Sequence, residues 1–94
     1  MRVKWSRKAL LNLELAVEYI AADNPTAASE VAQRIWDASQ ILADQPGIGR
    51  PGRVRGTREL LVTGTPYIVP YRVVGDAVQI LRVLHTTRKW PKGF

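Results

Sequence analysis

The residues of this chain best suited to binding an anion are arginines in its second half. A guanidinium group offers a planar fork of donors that fits phosphate and carboxylate. Converging arginines could bind a nucleic-acid backbone, stabilise a developing phosphorane charge or accept an acidic protein segment. The same side chains could also be solvated charges on strand faces, and spacing alone does not separate these alternatives. The candidates are Arg53, Arg55, Arg58, Arg72, Arg82 and Arg88, the last followed by Lys89.

One histidine and one aromatic tail complete the set of candidate functional residues. His85 ends an apolar segment, where an imidazole could act as a general acid or base near neutral pH or simply hydrogen-bond to the backbone at a rim. Trp90 and Phe94 lie in a basic tail and could stack on bases or dock on a protein. The structural alternative for Trp90 is a lid over the open edge of a small core.

Composition excludes several classes of site. The chain has 94 residues, no cysteine and one histidine, so we expect one domain over 1–94 without a disulfide or a thiolate or multi-histidine metal site. There is no phosphate-binding loop and no dinucleotide fingerprint, so we expect no cofactor and no metal. Apolar runs such as 67–71 are too short for a bilayer, which predicts a cytoplasmic protein. Residues 1–46 carry net charge −1 and residues 47–94 carry +7, so the second half should attract polyanions or acidic segments.

The first half predicts a helix hairpin. Residues 1–5 alternate as a short strand, and Ser6 is a good N-cap for a helix from Arg7 to near Asp23. Its apolar stripe includes Leu10, Leu13, Val17 and Ile20, and Leu11 and Leu15 widen it. Asn24-Pro25 begins a second helix that runs to about Asp44. So short a turn predicts antiparallel packing of the two helices.

The second half predicts strands. Residues 46–57 are rich in glycine, proline and arginine and predict a loop. Strands follow at 58–63, 67–74 and 77–85, with a tight turn at Gly75-Asp76. Pro70 cannot donate to a ladder and predicts a bulge or an outward-facing position. The expected fold is therefore α+β with the order β-α-α-β-β-β, a helix hairpin on one face of a mainly antiparallel sheet. The other face should be partly open, with Arg58, Arg72 and Arg82 meeting near it, while Trp5, Trp36, Tyr67 and Tyr71 should belong to the core.

Several segments, in this order and at this spacing, resemble the RelE/ParE family of toxins over essentially the whole chain. They are Asp23-Asn24-Pro25 between the helices, Pro46-x-x-Gly49-Arg50 with Gly52-Arg53-Val54, Gly56-Thr57-Arg58-Glu59-Leu60, Pro66-Tyr67-Ile68-Val69-x-Tyr71-Arg72-Val73, Ile80-Leu81-Arg82-Val83-Leu84-His85, and Arg88-x-Trp90-Pro91. The resemblance implies the same fold and a growth-arresting toxin of a type II toxin–antitoxin pair, as used in plasmid stabilisation. It also implies a cognate antitoxin whose C-terminal segment wraps the toxin, and contact with operator DNA only through that antitoxin.

The resemblance leaves two cellular targets open. RelE-like members cut messenger RNA on the ribosome, whereas ParE-like members poison DNA gyrase. RelE-like nucleases resemble one another in an arginine three residues before the tyrosine of the central strand; here that tyrosine is Tyr71 and the position holds Ile68. Isoleucine offers neither a charge nor a donor, so the sequence favours the ParE-like branch. His85 does match a position where some nucleases place a catalytic base, whereas Thr86 stands where some place a tyrosine.

Three functions follow, in order of preference. The first is a gyrase poison without chemistry of its own, which would bind its target or antitoxin through Arg53, Arg55, Arg58, Arg72, Arg82, Arg88 and Trp90. The second is a metal-independent endoribonuclease, with Arg58, Arg72 and Arg82 on phosphate and His85 in proton transfer. The third, a plain nucleic-acid-binding module, lacks a recognisable motif or a clear stripe of stacking aromatics.

Overall fold

The computed structural model describes residues 1–94 and contains two helices and six strands. The helices are α1 (Arg7–Ala21) and α2 (Pro25–Ile41). The strands are β1 (Arg2–Trp5), β2 (Arg50–Pro51), β3 (Arg58–Leu61), β4 (Tyr67–Val74), β5 (Ala77–Ile80) and β6 (Leu84–His85). None of the helices is long and apolar enough to cross a membrane.

The two helices begin where their capping residues predict. The Ser6 hydroxyl accepts a hydrogen bond from the Ala9 N–H at 3.0 Å, and Asn24 Oδ1 accepts one from the Ala27 N–H at 3.0 Å. Each cap satisfies an N–H that has no partner within its helix. The helices pack on each other and on one sheet face, which confirms the predicted hairpin. α2 ends at Ile41, three residues before the predicted Asp44.

The sheet has the order β1-β5-β4-β3-β2, with β6 also paired to β4. Every pairing is antiparallel except that of β1 with β5, which is parallel. The α+β fold and the mainly antiparallel sheet are therefore confirmed. The predicted loop at 46–57 is interrupted by β2, whose two residues pair with Arg58 and Glu59.

The third long strand was predicted as one unit over 77–85, and this was wrong. β5 and β6 both pair with β4, and the two pairings end at Ile80–Tyr71 and Leu84–Ile68. Three residues lie between Ile80 and Leu84, but only two lie between Ile68 and Tyr71 on β4, so the segment between β5 and β6 has one extra residue. The extra residue lies opposite Pro70, as the missing proline N–H predicts for a bulge. The Leu81 N–H still donates to the Pro70 carbonyl at 2.9 Å, and the Leu81 carbonyl accepts from the Ser6 hydroxyl at 3.0 Å.

The core lies between the helices and the inner sheet face. It is built mainly from Ala9, Ile35, Leu42, Val69, Tyr71, Val78 and Ile80, all almost fully buried. The outer face is only partly open, because Phe94 and the loop residues 54–57 lie near Leu81 and Arg72. Tyr67 and Tyr71 belong to the core as predicted and Trp5 packs against it, but the prediction for Trp36 was wrong: that side chain stacks on Trp5 and is 45% exposed.

Candidate functional site

Tyr71 holds the 46–49 loop in place from within the core. Its hydroxyl donates to the Pro46 carbonyl at 2.8 Å and accepts from the Gly49 N–H at 2.9 Å. A Cβ on Gly49 would lie 2.6 Å from the tyrosine ring, so only glycine fits at this approach. Tyr71 is fully buried and both functions of its hydroxyl are used, so its role is structural.

Glu59 is a buried carboxylate that organises the next part of the loop. It is 2% exposed, forms an ion pair with Arg50 at 3.1 Å and accepts a hydrogen bond from the backbone N–H of Arg53 at 2.9 Å. A buried carboxylate needs such donors because it has lost its hydration. This role of Glu59 was not predicted from the sequence, although an acidic residue within a run of arginines is a usable signal.

The predicted residues Arg53 and Trp90 meet. The Arg53 guanidinium carbon lies 3.9 Å from the centroid of the Trp90 ring, which is a close cation–π contact. Trp90 also donates its Nε1–H to the His85 backbone carbonyl at 3.1 Å. A continuous series of contacts therefore joins buried Glu59 to the tail through Arg53, Trp90 and the backbone of His85.

Arg58, Arg72 and Arg82 do not converge, contrary to the prediction. Arg58 is the cross-strand partner of Tyr71, so it shares the inner face, whereas Arg72 follows Tyr71 and points to the outer face. Arg58 donates to the Gly49 carbonyl at 2.8 Å, and Arg72 donates to Gln79 Oε1 at 2.7 Å. Arg82 lies in the interruption between β5 and β6, with its Nε buried and unpartnered. Spacing could not foresee this separation, because a one-residue offset between neighbouring strands exchanges the faces.

Arg55 lies apart from the Arg53–Trp90 contact. It is exposed on the loop and lines a shallow outer-face cavity of about 210 Å³ together with Arg72 and Phe94. Arg55 and Arg72 are therefore the two predicted arginines that lie together on the outer face.

His85 presents a donor rather than a base in its neutral form. The backbone N–H of Thr87 donates to His85 Nδ1 at 3.1 Å, so this nitrogen carries the lone pair. The proton of a neutral imidazole is then assigned to Nε2. The ring packs edge-on against Tyr67, with centroids 5.3 Å apart. The ring is thus fixed by its neighbours, in the tautomer opposite to the one a base at Nε2 requires.

A small cleft, here called the tail cleft, lies between α1 and residues 83–90. Its volume is about 170 Å³, and its walls include Leu15, Tyr67, His85, Arg88, Lys89 and Trp90. Burial raises the pKa of the Tyr67 hydroxyl above its ordinary 10.0, with the Arg88 charge opposing and Tyr19 adding to the rise. The hydroxyl therefore stays protonated at neutral pH and can donate into the cleft. Arg88 lies over the Tyr19 ring, 4.7 Å from its centroid.

A second depression, here called the edge groove, lies between α2 and β3. It has a volume of about 450 Å³, and its lining includes Arg34, Asp37, Ile41, Ile48, Leu61 and Val62. Leu61 is 53% exposed, and Ile41 and Ile48 are about half exposed. Because β2 pairs only with Arg58 and Glu59, Leu60 and Leu61 have no neighbouring strand on the side away from β4.

Comparison with known proteins gives consistent matches along nearly the whole chain. Residues 3–90 match the family described as the ParE toxin of a type II toxin–antitoxin system, parDE. The chain is 45% identical over 91 residues to the protein Y4kP of Sinorhizobium fredii, whose name marks it as a candidate toxin; the match covers 97% of this chain and 94% of that one. It is 36% identical over 87 residues to toxin RelE2 of Caulobacter vibrioides, covering 93% and 97%.

Among solved structures, a chain of the chromosomal ParDE toxin–antitoxin system of P. aeruginosa is similar. The TM-score is 0.81 at 34% identity, with 90% of this chain and 95% of that chain covered.

Proposed function

The chain belongs to the ParE toxin family of type II toxin–antitoxin systems, and we propose that it arrests growth by binding DNA gyrase. In this proposal the toxin poisons gyrase by binding alone and catalyses no reaction. As a toxin of this kind it has a cognate antitoxin. Because both proposed partners act in the cytoplasm, we place the protein there as well.

The observation that carries this proposal is the separation of the arginines. A phosphodiester cleavage site needs preorganised cations around one phosphate, yet Arg58 and Arg72 lie on opposite sheet faces and both are engaged with protein oxygens. The position of the nuclease arginine holds Ile68, which is apolar and 3% exposed. These features support binding rather than catalysis as the basis of toxicity.

A RelE-like endoribonuclease is the second candidate. His85, Arg88 and Tyr67 share the tail cleft, which brings a histidine, a cation and a phenol together. The name of the Caulobacter relative also carries the RelE label. In this alternative, Arg88 would take the place of the strand arginines on phosphate.

Controlled expression in bacteria separates the two targets. We expect DNA-damage signalling to precede any fall in protein synthesis, and we expect purified gyrase to lose supercoiling activity when the toxin is added. Cleavage of messenger RNA on purified ribosomes, with gyrase unaffected, would replace the gyrase proposal by the nuclease.

We propose that the edge groove binds the C-terminal segment of the antitoxin as it wraps the toxin. Exposed Leu61, Ile41 and Ile48 offer apolar area, and the unpaired side of Leu60 and Leu61 can accept an added strand. The operator is then contacted through the antitoxin and not by the toxin itself.

A matched pair of variants tests the groove. Leu61 and Val74 are each 53% exposed, on strands at different parts of the sheet. Leu61→Glu should weaken antitoxin affinity by about tenfold or more, because it places a charge in the apolar contact. Val74→Glu should leave it unchanged; equal affinities for the two variants, measured by calorimetry, would rule out this groove.

A further inference from the structure

Helix α1 carries a row of exposed apolar side chains, here called the α1 row. Leu11, Leu15 and Tyr19 are 52%, 52% and 66% exposed and recur every fourth residue. The sequence predicted that Leu11 and Leu15 would widen the buried stripe, and this was wrong. The core takes Ala9, Leu13, Ala16 and Ile20 instead. A contiguous apolar row left outside a small core is typical of an interaction surface.

The α1 row borders the tail cleft directly. Leu15 lines the cleft, and the Tyr19 ring lies beneath the Arg88 guanidinium. Arg88 and Lys89 have no carboxylate partner, since the two ion pairs of the protein are Arg2 with Asp76 and Arg50 with Glu59. The Tyr67 hydroxyl, which like any phenol is protonated at neutral pH, makes no hydrogen bond within the protein. The cleft thus holds two free cations and a free donor.

Opposite charges flank the two sides of the row. At 100° per residue, Glu14 and Glu18 fall on the side of the α1 row away from Asn12 and Ala16. Asn12 and Ala16 line the tail cleft, so this second side carries Arg88 and Lys89. A partner that covers the row therefore meets carboxylates along one border and cations along the other.

The size and the lining of the surface select the kind of partner. A volume of about 170 Å³ falls below the roughly 300 Å³ at which pockets for whole small molecules begin, so it suits one side-chain head group. Leucines offer nothing to a sugar–phosphate backbone, but they bury favourably against an apolar helix face. These features favour a protein over RNA as the occupant.

We infer that the α1 row and the tail cleft together bind an amphipathic helix of the target protein, which lays its apolar face on the row and inserts a carboxylate beside Arg88. The helix carries that Asp or Glu on its cleft side and a Lys or Arg on the side that faces Glu14 and Glu18. This inference rests on the proposed function, in which toxicity comes from binding a protein. It assigns target and antitoxin to different surfaces, the tail cleft and the edge groove.

Variants of the surface test the inference. Arg88→Gln and Leu15→Ala should each lower the affinity of the toxin for purified gyrase about tenfold and reduce growth arrest at matched expression. Arg88→Lys should retain most of the affinity, because a carboxylate still finds a cation. The matched controls are Lys92→Gln, an exposed tail cation away from the cleft, and Leu10→Ala, a side chain of similar exposure (49%) off the row.

Antitoxin binding is the second readout and shows that each variant is folded. Loss of gyrase affinity with antitoxin affinity retained supports the inference. Wild-type gyrase affinity in Arg88→Gln and Leu15→Ala would overturn it. Loss of antitoxin affinity in variants that keep the wild-type circular dichroism spectrum would also overturn it, because the surface would then belong to the antitoxin.

The test also distinguishes failure of this inference from failure of the proposed function. If the wild-type toxin does not bind gyrase, the gyrase proposal fails and the variants are judged by growth arrest. If the variants then lose growth arrest but still bind antitoxin, and the wild type does not cleave messenger RNA, the results still support a protein target on this surface. Cleavage that depends on Arg88 would identify RNA as the occupant and overturn the inference.

Discussion

At the residue scale, the arginines divide into those that build the loop and those left for partners. Arg50 pairs with buried Glu59, and Arg58 binds the carbonyl of Gly49. Arg53 and Arg88 lie on aromatic rings, with no carboxylate partner. The residue type and the charge were visible in the sequence. Which arginines build the loop and which are left for partners could not be predicted, because this depends on the strand face and the carbonyl group that each side chain reaches.

We expect the His85 side chain to be dispensable for growth arrest, whereas we expect the Trp90 side chain to contribute to it. His85→Ala should leave growth arrest largely intact, because Trp90 binds the backbone carbonyl of His85 and not its ring. Trp90→Ala should reduce growth arrest by removing the ring that orders Arg53 and lines the tail cleft; changes at Arg88 should do the same. The measurement is growth inhibition at matched expression, with folding checked by antitoxin binding. Abolished toxicity in folded His85→Ala, with His85-dependent messenger RNA cleavage, would contradict the gyrase proposal.

Tyr67 should give the toxin a specific sensitivity to alkaline pH. Burial raises its pKa in the folded state above 10.0, so folding favours the neutral phenol. The contribution of neutral Tyr67 to the free energy of unfolding is complete below the pKa that this tyrosine has in the unfolded chain. It is lost as the pH rises through the higher pKa that Tyr67 has in the folded protein. The free energy of unfolding should therefore fall more steeply above about pH 10 in the wild type than in Tyr67→Phe. Arg88→Gln should raise the pKa further, as phenolate absorbance would show; identical alkaline profiles for wild type and Tyr67→Phe would refute the assignment.

At the element scale, the interruption between β5 and β6 is fastened to α1. The Ser6 hydroxyl donates to the Leu81 carbonyl, and the Val83 N–H donates to Asn12 Oδ1 at 3.2 Å. These bonds satisfy backbone groups that Pro70 and the bulge leave without ladder partners. Ser6 therefore acts at two places, as a helix cap and as a partner of the broken strand.

Ser6→Ala should destabilise the protein more than Asn24→Ala. Both substitutions remove an N-cap, which costs about 1 kcal/mol. Only Ser6→Ala also leaves the Leu81 carbonyl without its partner, which adds roughly 1–3 kcal/mol for a buried group. Urea unfolding of both variants measures the difference. Equal losses would mean that water or a backbone shift replaces the Ser6 contact.

Much of the element order could be predicted from sequence, because caps, turns and periodicity are local signals. Ser6, Asn24-Pro25 and Gly75, with its φ of 60°, act where they were predicted to act. Pro70 was also a local signal, since a proline within a strand predicts a bulge. The interruption, however, lies between β5 and β6 and not in β4, which contains Pro70. β2, the burial of Glu59 and the exposure of the α1 row depend on tertiary packing, which periodicity does not report.

At the scale of the whole molecule, two of the surfaces that carry half-exposed apolar groups, the edge groove and the α1 row, are separate from each other. A chain of 94 residues can bury only a small core, so the cognate antitoxin should contribute much of the stability of the toxin. The two surfaces also lie on different helices, which leaves room for two distinct protein contacts.

The isolated toxin should melt at a lower temperature than its complex. A partner at a thousand times its dissociation constant adds about 4 kcal/mol to the folded state. For a domain of this size, that corresponds to a shift of Tm on the order of 10 °C or more. Calorimetric scans of the toxin with and without saturating antitoxin measure the shift. Equal melting temperatures would contradict the prediction.

The parallel pairing of β1 with β5 has a consequence for synthesis of the chain. Arg2 pairs with Ala77 and Trp5 with Ile80, so β1 leaves the ribosome long before the strand with which it pairs. Such distant pairing slows folding, since a large loop must close before the contact forms. A nascent chain that stops before β5 lacks the neighbour of its own first strand. A chain interrupted before β5 would also lack the residues of the 83–90 segment that line the tail cleft, so we expect it not to arrest growth.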